Sequence, residues 1–191
     1  PLLALDVGAT KVACAIGRAH AGSGELELRG TSLVAYPTIP DGWLGDPLMV
    51  SQAIEQALEA TGVQEACHRA VVAMRPPALT RERVQTAITL ADEPITVRAH
   101  DLDRLKGHAL NQTLGVDREP LLIERLACRG NGFEGIRDPR GLSATTLQGL
   151  FHVIAMPMAA RRAVVQAVEA AGLDVAQLSS TLPAALAGAG E

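Results

Sequence analysis

The residues best suited to chemistry lie near the start of the chain, in the segment LDVGATKV at positions 5–12. Asp6 follows an apolar run, Gly8 and Ala9 are small, and Thr10 and Lys11 add a hydroxyl group and a cation. Small residues let a backbone approach a ligand closely, and converging backbone N–H groups bind anions. We therefore predict that these five residues form a phosphate-binding turn, in which Lys11 faces phosphate oxygens and Asp6 holds Mg²⁺ through water.

The same segment also fits an ordinary hairpin. In that interpretation Asp6 and Thr10 stabilise the turn by hydrogen bonds to nearby backbone groups. A short D-x-G-x-T-K string occurs often without function. On these residues alone, both interpretations stay open.

The elements that must position this turn alternate between strand and helix. Leu2 to Leu5 form an apolar run typical of a strand that is buried on both faces, and Val12 to Ile16 read as its hairpin partner. Asp46 followed by Pro47 predicts a helix start, and Gly62 predicts its end. Further strands are predicted at 25–36, 70–74, 83–90, 121–128, 147–156 and 175–178, further helices at 101–114, 157–171 and 182–189, and an irregular loop at 130–141.

The composition is that of a globular protein, since 48% of the 191 residues are hydrophobic. The net charge of −4 and the aromatic content of 2% do not favour nucleic acid as a partner. Cys14, Cys67 and Cys128 are far apart and lack C-x-x-C spacing, so we expect neither disulfides nor zinc but three small core residues in a reducing cytoplasm. No apolar run reaches the roughly 20 residues that cross a bilayer.

A second motif identifies a family. Residues 132–142, GFEGIRDPRGL, closely resemble the G-I-R-D-P-x-G-M segment of the bacterial cell-division protein family FtsA. The opening L-D-V-G-A-T-K-V is similar to the first phosphate motif of that family, L-D-I-G-T-S/T-K-V, and residues 172–175 resemble its A-G-L-E-V segment. Three motifs therefore agree in order along the chain.

This resemblance implies an α/β fold: an actin-like (ribonuclease H-like) subdomain 1A, with a mixed sheet flanked by helices, formed by residues 1–76 and 148–191. Residues 77–147 would form the inserted small α+β subdomain 1C, of the SHS2 type, and the Pro76-Pro77 pair would mark the junction. In the family, subdomain 1C contacts division proteins and neighbouring subunits. The candidate contact residues here are Gly135, Ile136, Arg137, Asp138 and Pro139. The alternative is a structural turn, in which Asp138 accepts backbone N–H groups and Arg137 pairs locally.

The function implied by the resemblance is that of an adaptor that binds ATP with Mg²⁺, links FtsZ filaments to the inner membrane and recruits later division proteins. It would self-associate into actin-like filaments and work in the cytoplasm, at the inner face of the membrane at the division site. The chain resembles an amino-terminal part, so the second phosphate motif, most FtsZ contacts and the membrane-binding helix are expected in residues outside it. This part alone should therefore bind ATP poorly. We assign no catalytic residue and expect slow hydrolysis, because Ser180 and Thr181 stand where relatives carry Glu or Gln.

Two other functions stay open. A sugar kinase of the ROK type shares a similar first motif, D-I-G-G-T-K-I-A, but it needs a catalytic carboxylate. The acidic candidates Asp101 and Asp103 are more simply interpreted as helix-capping residues. A pilus-assembly adaptor of the PilM type would share the fold and differ in its partners.

Overall fold

The computed structural model describes residues 1–20, 23, 25–37, 43–44 and 46–180. Thr181 and the helix predicted at 182–189 lie outside the described residues. The chain divides into two units, which are described separately here: unit 1 comprises Pro1–Ala78 and the chain from Met158 onward, and unit 2 comprises Leu79–Pro157. No helix formed by the described residues is long and apolar enough to cross a membrane.

The described residues of unit 1 form five strands and two helices. In chain order these are β1 (Leu2–Val7), β2 (Lys11–Ala19), β3 (Leu26–Ala35), α1 (Pro47–Ala60) and β4 (Arg69–Met74). Unit 2 follows with β5 (Thr80–Thr89), β6 (Ile95–Thr96), α2 (Ala99–Thr113), β7 (Arg118–Gly130), β8 (Phe133–Ile136), β9 (Ser143–Ala144) and β10 (Thr146–Pro157). The chain then returns to unit 1 with α3 (Met158–Ala170) and β11 (Asp174–Ser180).

The sheet of unit 1 is mixed and has the order β11-β4-β1-β2-β3. β1 pairs antiparallel with β2 and parallel with β4, and β4 pairs parallel with β11. Alternate residues of β1 point into a core under α1 and α3, where Leu5, Val7, Ile54 and Val72 are at most 1% exposed. The strand β1 thus forms where predicted, and its carboxyl end is fixed between two neighbours.

The helix α1 begins and ends as its sequence predicts. The Asp46 carboxylate accepts a hydrogen bond from the Leu48 N–H at 2.9 Å, and Pro47 occupies the first helical position. After Thr61, Gly62 takes a φ of +69°, a conformation that favours glycine and ends the helix. The predicted start and stop signals are therefore confirmed.

The opposite face of the unit 1 sheet is exposed, so the prediction that β1 is buried on both faces is wrong. Leu2 is 52% exposed, and Ala4 is exposed as well. In β3, at the edge of the sheet, the exposed fractions are 64% for Leu26, 62% for Leu28 and 60% for Leu33. An apolar run in the sequence cannot distinguish one buried face from two, because both patterns use the same residues.

Unit 2 is an antiparallel sheet of order β5-β10-β7-β8 with α2 packed on one face. Its core joins Leu105 of the helix to Leu147, Phe151 and Val153 of β10, all at most 1% exposed. Because β10 pairs with both β5 and β7 along almost its whole length, the strand belongs to unit 2. The structure thus returns to unit 1 at Met158, whereas the sequence predicts the return at residue 148.

Two local predictions in unit 2 differ from the structure. The segment 130–141, predicted to be irregular, contains the short edge strand β8, which pairs Cys128 with Ile136. The helix α2 begins at Ala99 rather than Asp101. The Asp101 carboxylate nevertheless stabilises the start, because it accepts a hydrogen bond from the Arg98 N–H at 2.9 Å.

Candidate functional site

The predicted phosphate turn lies at the carboxyl end of three parallel strands. Asp6 of β1 is level with Ala73 of β4, and Ala73 is level with Ser179 of β11. In open α/β sheets, ligands bind beyond the carboxyl ends of the strands. The turn between β1 and β2 therefore occupies the edge of unit 1 where a ligand is expected.

The turn is tight, and part of its backbone hydrogen-bonding capacity is unused. The Gly8 N–H donates to the Lys11 carbonyl at 3.0 Å and closes the turn. Among the hydrogen bonds that join described residues, none has the N–H of Ala9 or of Thr10 as its donor. Thr10 and Lys11 are exposed, so two N–H groups, a hydroxyl group and an ammonium group are available at one place. This is a combination that can bind an anion.

Gly8 has no conformational reason to be glycine. It is not among the residues of positive φ, and an added Cβ would lie 3.4 Å from the Lys11 carbonyl oxygen, an ordinary contact distance. The fold itself would therefore accept a side chain at this position. A glycine that the fold does not need is consistent with close approach of the backbone to a ligand.

Asp6 lies beside this turn and is half-buried. Its neighbours across the strands, Ala13 of β2 and Ala73 of β4, have small side chains. Among the described residues, no three His, Cys, Asp or Glu side chains gather into a cluster that could hold a metal ion. A single carboxylate fits Mg²⁺, which keeps several waters and binds through one or two carboxylates plus substrate phosphates.

Tyr36 holds the turn through two hydrogen bonds, and the sequence analysis did not predict this role. The Tyr36 hydroxyl donates to the Gly8 carbonyl oxygen, and the Tyr36 N–H donates to the Thr10 carbonyl oxygen at 2.9 Å. Its side chain is buried, and this burial raises the pKa of the Tyr36 hydroxyl to about 12. The available signal was that Tyr36 is the one tyrosine in a chain with few aromatic residues.

The second candidate site, Gly135 to Pro139, lies in unit 2. Gly135 and Ile136 belong to the edge strand β8, and Gly135 has a φ of +73°. Gly135 also lines a groove of about 250 Å³ on the sheet of unit 2. The other groove residues come from β5, β7, β8 and β10: Gln85, Ala127, Cys128, Arg129, Glu134, Gln148, Gly149 and Leu150.

The charged residues of this segment pair with residues of unit 2. Arg137 donates to the Glu124 carboxylate at 2.7 Å, and its carbonyl oxygen accepts a hydrogen bond from Arg125 at 2.7 Å. Asp138 binds the Arg140 guanidinium and accepts the Arg140 N–H at 3.3 Å. The side-chain hydrogen bond from Arg140 lowers the pKa of the Asp138 carboxyl group.

The loop that follows β8 is also held by both backbone groups of Val97. The Val97 N–H donates to the Leu142 carbonyl at 2.8 Å, and the Gly141 N–H donates to the Val97 carbonyl at 3.1 Å. Pro139 is buried, whereas Arg137 and Asp138 are exposed. The contacts described by the turn interpretation of Asp138 and Arg137 are therefore present, and exposed atoms of the same residues remain available to a partner.

Burial disfavours the thiolate form of two of the three cysteines, Cys14 and Cys128. Cys14 and Cys128 are buried and free, and burial raises the pKa of Cys14 to about 11 and also raises that of Cys128. Cys67 is free and half-buried, so the prediction that all three cysteines are core residues is wrong for this one. Raised thiol pKa values disfavour the thiolate, which is the nucleophilic form.

The fold and the turn define the class of protein. Unit 1 has an actin-like fold with a tight turn between its first two strands, and unit 2 is an α+β domain inserted into it. A chain in the solved PilM-PilN type IV pilus biogenesis complex has the same fold: the TM-score is 0.67 at 16% identity, over 97% of this chain and 49% of that chain. The predicted fold class is thus confirmed.

The sequence comparisons show which proteins this chain is similar to. Residues 77–155 match the family described as the SHS2 domain inserted in FtsA. The cell division protein FtsA of Streptococcus pneumoniae serotype 2 (strain D39) is 26% identical over 175 residues, which are 90% of this chain and 37% of that protein. The predicted resemblance is therefore confirmed: the chain is FtsA-like, it corresponds to an amino-terminal part of that protein, and its insert is an SHS2 domain.

Proposed function

We propose that the chain is the amino-terminal part of a cell-division adaptor of the FtsA type, which binds ATP with Mg²⁺ at the carboxyl edge of unit 1. The observation that carries the nucleotide site is the turn at Gly8 to Lys11, whose unused N–H groups face no described acceptor. The SHS2 insert carries the division role, because residues 77–155 match the form of this domain that is inserted in FtsA.

In this proposal each residue of the turn has one task. The N–H groups of Ala9 and Thr10 donate to phosphate oxygens, and the Lys11 ammonium group neutralises their charge. Asp6 binds the waters of Mg²⁺. The adenosine pocket lies in residues outside this chain, so the turn supplies phosphate contacts only.

Hydrolysis is slow in this proposal, and ATP serves mainly to hold the protein in its assembled state. A base or a water-orienting amide is needed to direct an attacking water. At the end of β11 the available group is the Ser180 hydroxyl, which is 1% exposed and is not a base at neutral pH.

Unit 2 is the proposed adaptor surface for later division proteins and for neighbouring subunits. Its groove of about 250 Å³ is smaller than most small-molecule pockets, which measure roughly 300–1,000 Å³. A groove of this size fits one or two side chains of a protein partner. Contacts to FtsZ filaments and to the inner face of the cytoplasmic membrane are proposed for the remainder of the protein.

The nucleotide part of the proposal is tested by calorimetric titration of MgATP into the longer protein. Lys11→Ala should weaken binding about tenfold, because a hydrogen bond to a charged group contributes roughly 1.5–3 kcal/mol. Arg137→Ala is the matched control, since it also removes an exposed cation but in unit 2. Equal affinities in the wild type and both variants would contradict the proposed site.

The division part is tested by fluorescence imaging of the longer protein in its own host, with Leu79–Pro157 replaced by a short linker. These bounds remove unit 2 whole, whereas a cut at residue 148 would leave most of β10 without its partners β5 and β7. We expect the wild type to form a midcell band and the deletion to lose later division proteins from it. Gln148→Trp, which fills the groove, is the milder companion variant. A diffuse wild-type signal would overturn the proposal.

A pilus-assembly adaptor is the second candidate, favoured by the fold that this chain shares with a chain of the PilM-PilN complex. The same imaging separates the two, because a pilus adaptor has no reason to gather at midcell. The SHS2 match favours either adaptor over a sugar kinase. Phosphorylation of hexoses by the longer protein would reverse that preference.

A further inference from the structure

We infer that Tyr36 is the positioning residue of the nucleotide site: by holding the Gly8 carbonyl group of the turn, it aims the adjoining Ala9 N–H group at the ligand. This inference rests on the proposed function of the turn. Nothing in the sequence motif includes Tyr36, which lies 28 residues from Gly8 along the chain.

The first step of the argument is geometric. A trans peptide group is planar, and its C=O and N–H bonds point in opposite directions. The Tyr36 hydroxyl holds the carbonyl of the peptide that joins Gly8 to Ala9, so the Ala9 N–H points away from Tyr36. In the same way, the Tyr36 N–H donates to the Thr10 carbonyl and fixes the peptide that joins Thr10 to Lys11.

The second step concerns the order of the turn. Ala9 and Thr10 lie between the ends of β1 and β2, and none of the hydrogen bonds between described residues has their N–H groups as donors. The Ala9 N–H is oriented through the carbonyl of its own peptide, that of Gly8, which the Tyr36 hydroxyl holds. Tyr36 is suited to this because its ring is buried, with 8% exposure, and is therefore fixed itself.

The third step is the energetic consequence. A preorganised donor costs less conformational entropy when it binds, and this saving appears as affinity. Removal of the Tyr36 hydroxyl should therefore leave the fold intact and loosen the turn. The affinity for MgATP should fall about fivefold, in line with the net contribution of one hydrogen bond.

The experiment uses Tyr36→Phe, which keeps the buried ring and deletes the hydroxyl. Ser32→Ala is the matched control, because the Ser32 hydroxyl also donates to a backbone carbonyl of unit 1, that of Ala57, and does not touch the turn. MgATP affinity and binding entropy are measured by calorimetry on the longer protein. The ¹⁵N order parameters of Ala9 and Thr10 are measured by NMR on the chain described here.

The expected result is that Tyr36→Phe alone binds about fivefold more weakly, with a less favourable binding entropy. Its order parameters at Ala9 and Thr10 should fall below the roughly 0.85 of rigid backbone. Unchanged affinity, or a loss of affinity with unchanged order parameters, would overturn the role of Tyr36 while the nucleotide site stands. A wild-type protein that binds no MgATP would overturn the site and the inference together.

Discussion

The two candidate loops of this protein use their hydrogen-bonding groups in opposite ways. In the turn at Gly8 to Lys11, the residues are small and two N–H groups have no acceptor among the described residues. In the segment Arg137 to Leu142, the carboxylate of Asp138, the guanidinium groups and several backbone groups are bound within unit 2. The first loop leaves hydrogen-bonding groups without an acceptor among the described residues, whereas the second loop uses its groups to fix its own conformation. A sequence motif can therefore mark either binding or stability.

The largest effect on the free energy of unfolding is expected at the buried residue that holds the second loop. Val97 is 1% exposed and holds the loop through both of its backbone groups. Val97→Ala should lower the free energy of unfolding by about 2 kcal/mol, because it buries less apolar surface and leaves a cavity. Urea unfolding of this chain measures the change. The same substitution at Val71, which is 41% exposed in β4, should cost less than about 0.5 kcal/mol. Equal losses of unfolding free energy at Val97 and Val71 would contradict the burial of the Val97 side chain.

A pair of glycine substitutions sharpens the comparison. Gly8→Ala should leave stability within about 0.5 kcal/mol and weaken MgATP binding about tenfold, since the new methyl group occupies ligand space. Gly135→Ala should do the reverse: its φ of +73° is strained for alanine, at a cost of about 1 kcal/mol, and nucleotide affinity should not change. Thermal unfolding and calorimetric titration of the longer protein give both quantities. A loss of affinity in Gly135→Ala would break the distinction between the loops.

Alkaline pH should lower the stability of unit 1, which carries the first loop. The folded-state pKa is raised to about 11 for Cys14 and about 12 for Tyr36, from ordinary values of 9.0 and 10.0. A raised pKa stabilises the fold below the unfolded value, and this contribution is lost as pH rises through the folded value. Stability should thus fall from pH 9 to 11 through Cys14 and from pH 10 to 12 through Tyr36.

The two alkaline contributions are separated by substitution. Tyr36→Phe should abolish the upper part of the decline and Cys14→Ala the lower part, as measured by unfolding at each pH. Tyrosinate absorbance reports Tyr36 directly, because the chain has one tyrosine. A tyrosinate transition near pH 10, the ordinary value, would show that Tyr36 is not buried as described.

The smallest effect is expected at acid pH in the second loop. Arg140 lowers the pKa of Asp138 below its ordinary value of 3.8, so this carboxylate stabilises the loop above that value. The contribution is lost as pH falls through the lowered folded pKa. Asp138→Asn should remove the dependence, which NMR titration of the Arg140 Nε–H signal can follow. An Arg140 signal that does not respond to pH in the wild type would contradict the pairing.

The fold was largely predictable because its signals are local. Asp46, Pro47 and Gly62 mark the ends of α1 in the sequence, and the structure confirms each one. The strand β8 was missed because it is four residues long, contains Gly135, and lies among other glycines and a proline. The unit to which β10 belongs was not readable, since its apolar pattern predicts burial but not the neighbour that buries it.

The site was predictable only as far as its motif extends. Asp6 to Lys11 are adjacent in sequence, so their types and spacing were sufficient to place the turn. Tyr36 reaches Gly8 through a contact between distant positions, which depends on the register of β2 against β3. The pairing of Arg137 with Glu124 depends likewise on the hairpin of β7 and β8. Such contacts follow from strand pairing, which local patterns do not specify.

The exposed edge strand β3 has a consequence for the behaviour of the protein in solution. Unpaired strand edges offer N–H and C=O groups to other chains, and apolar side chains make such pairing more favourable. In β3 the exposed Leu26 and Leu28 alternate with Glu27 and Arg29, whose charges oppose pairing of this edge with another chain. Purified samples should therefore associate as concentration rises and as salt screens these charges. Leu28→Lys should keep concentrated samples monodisperse and make them suitable for NMR.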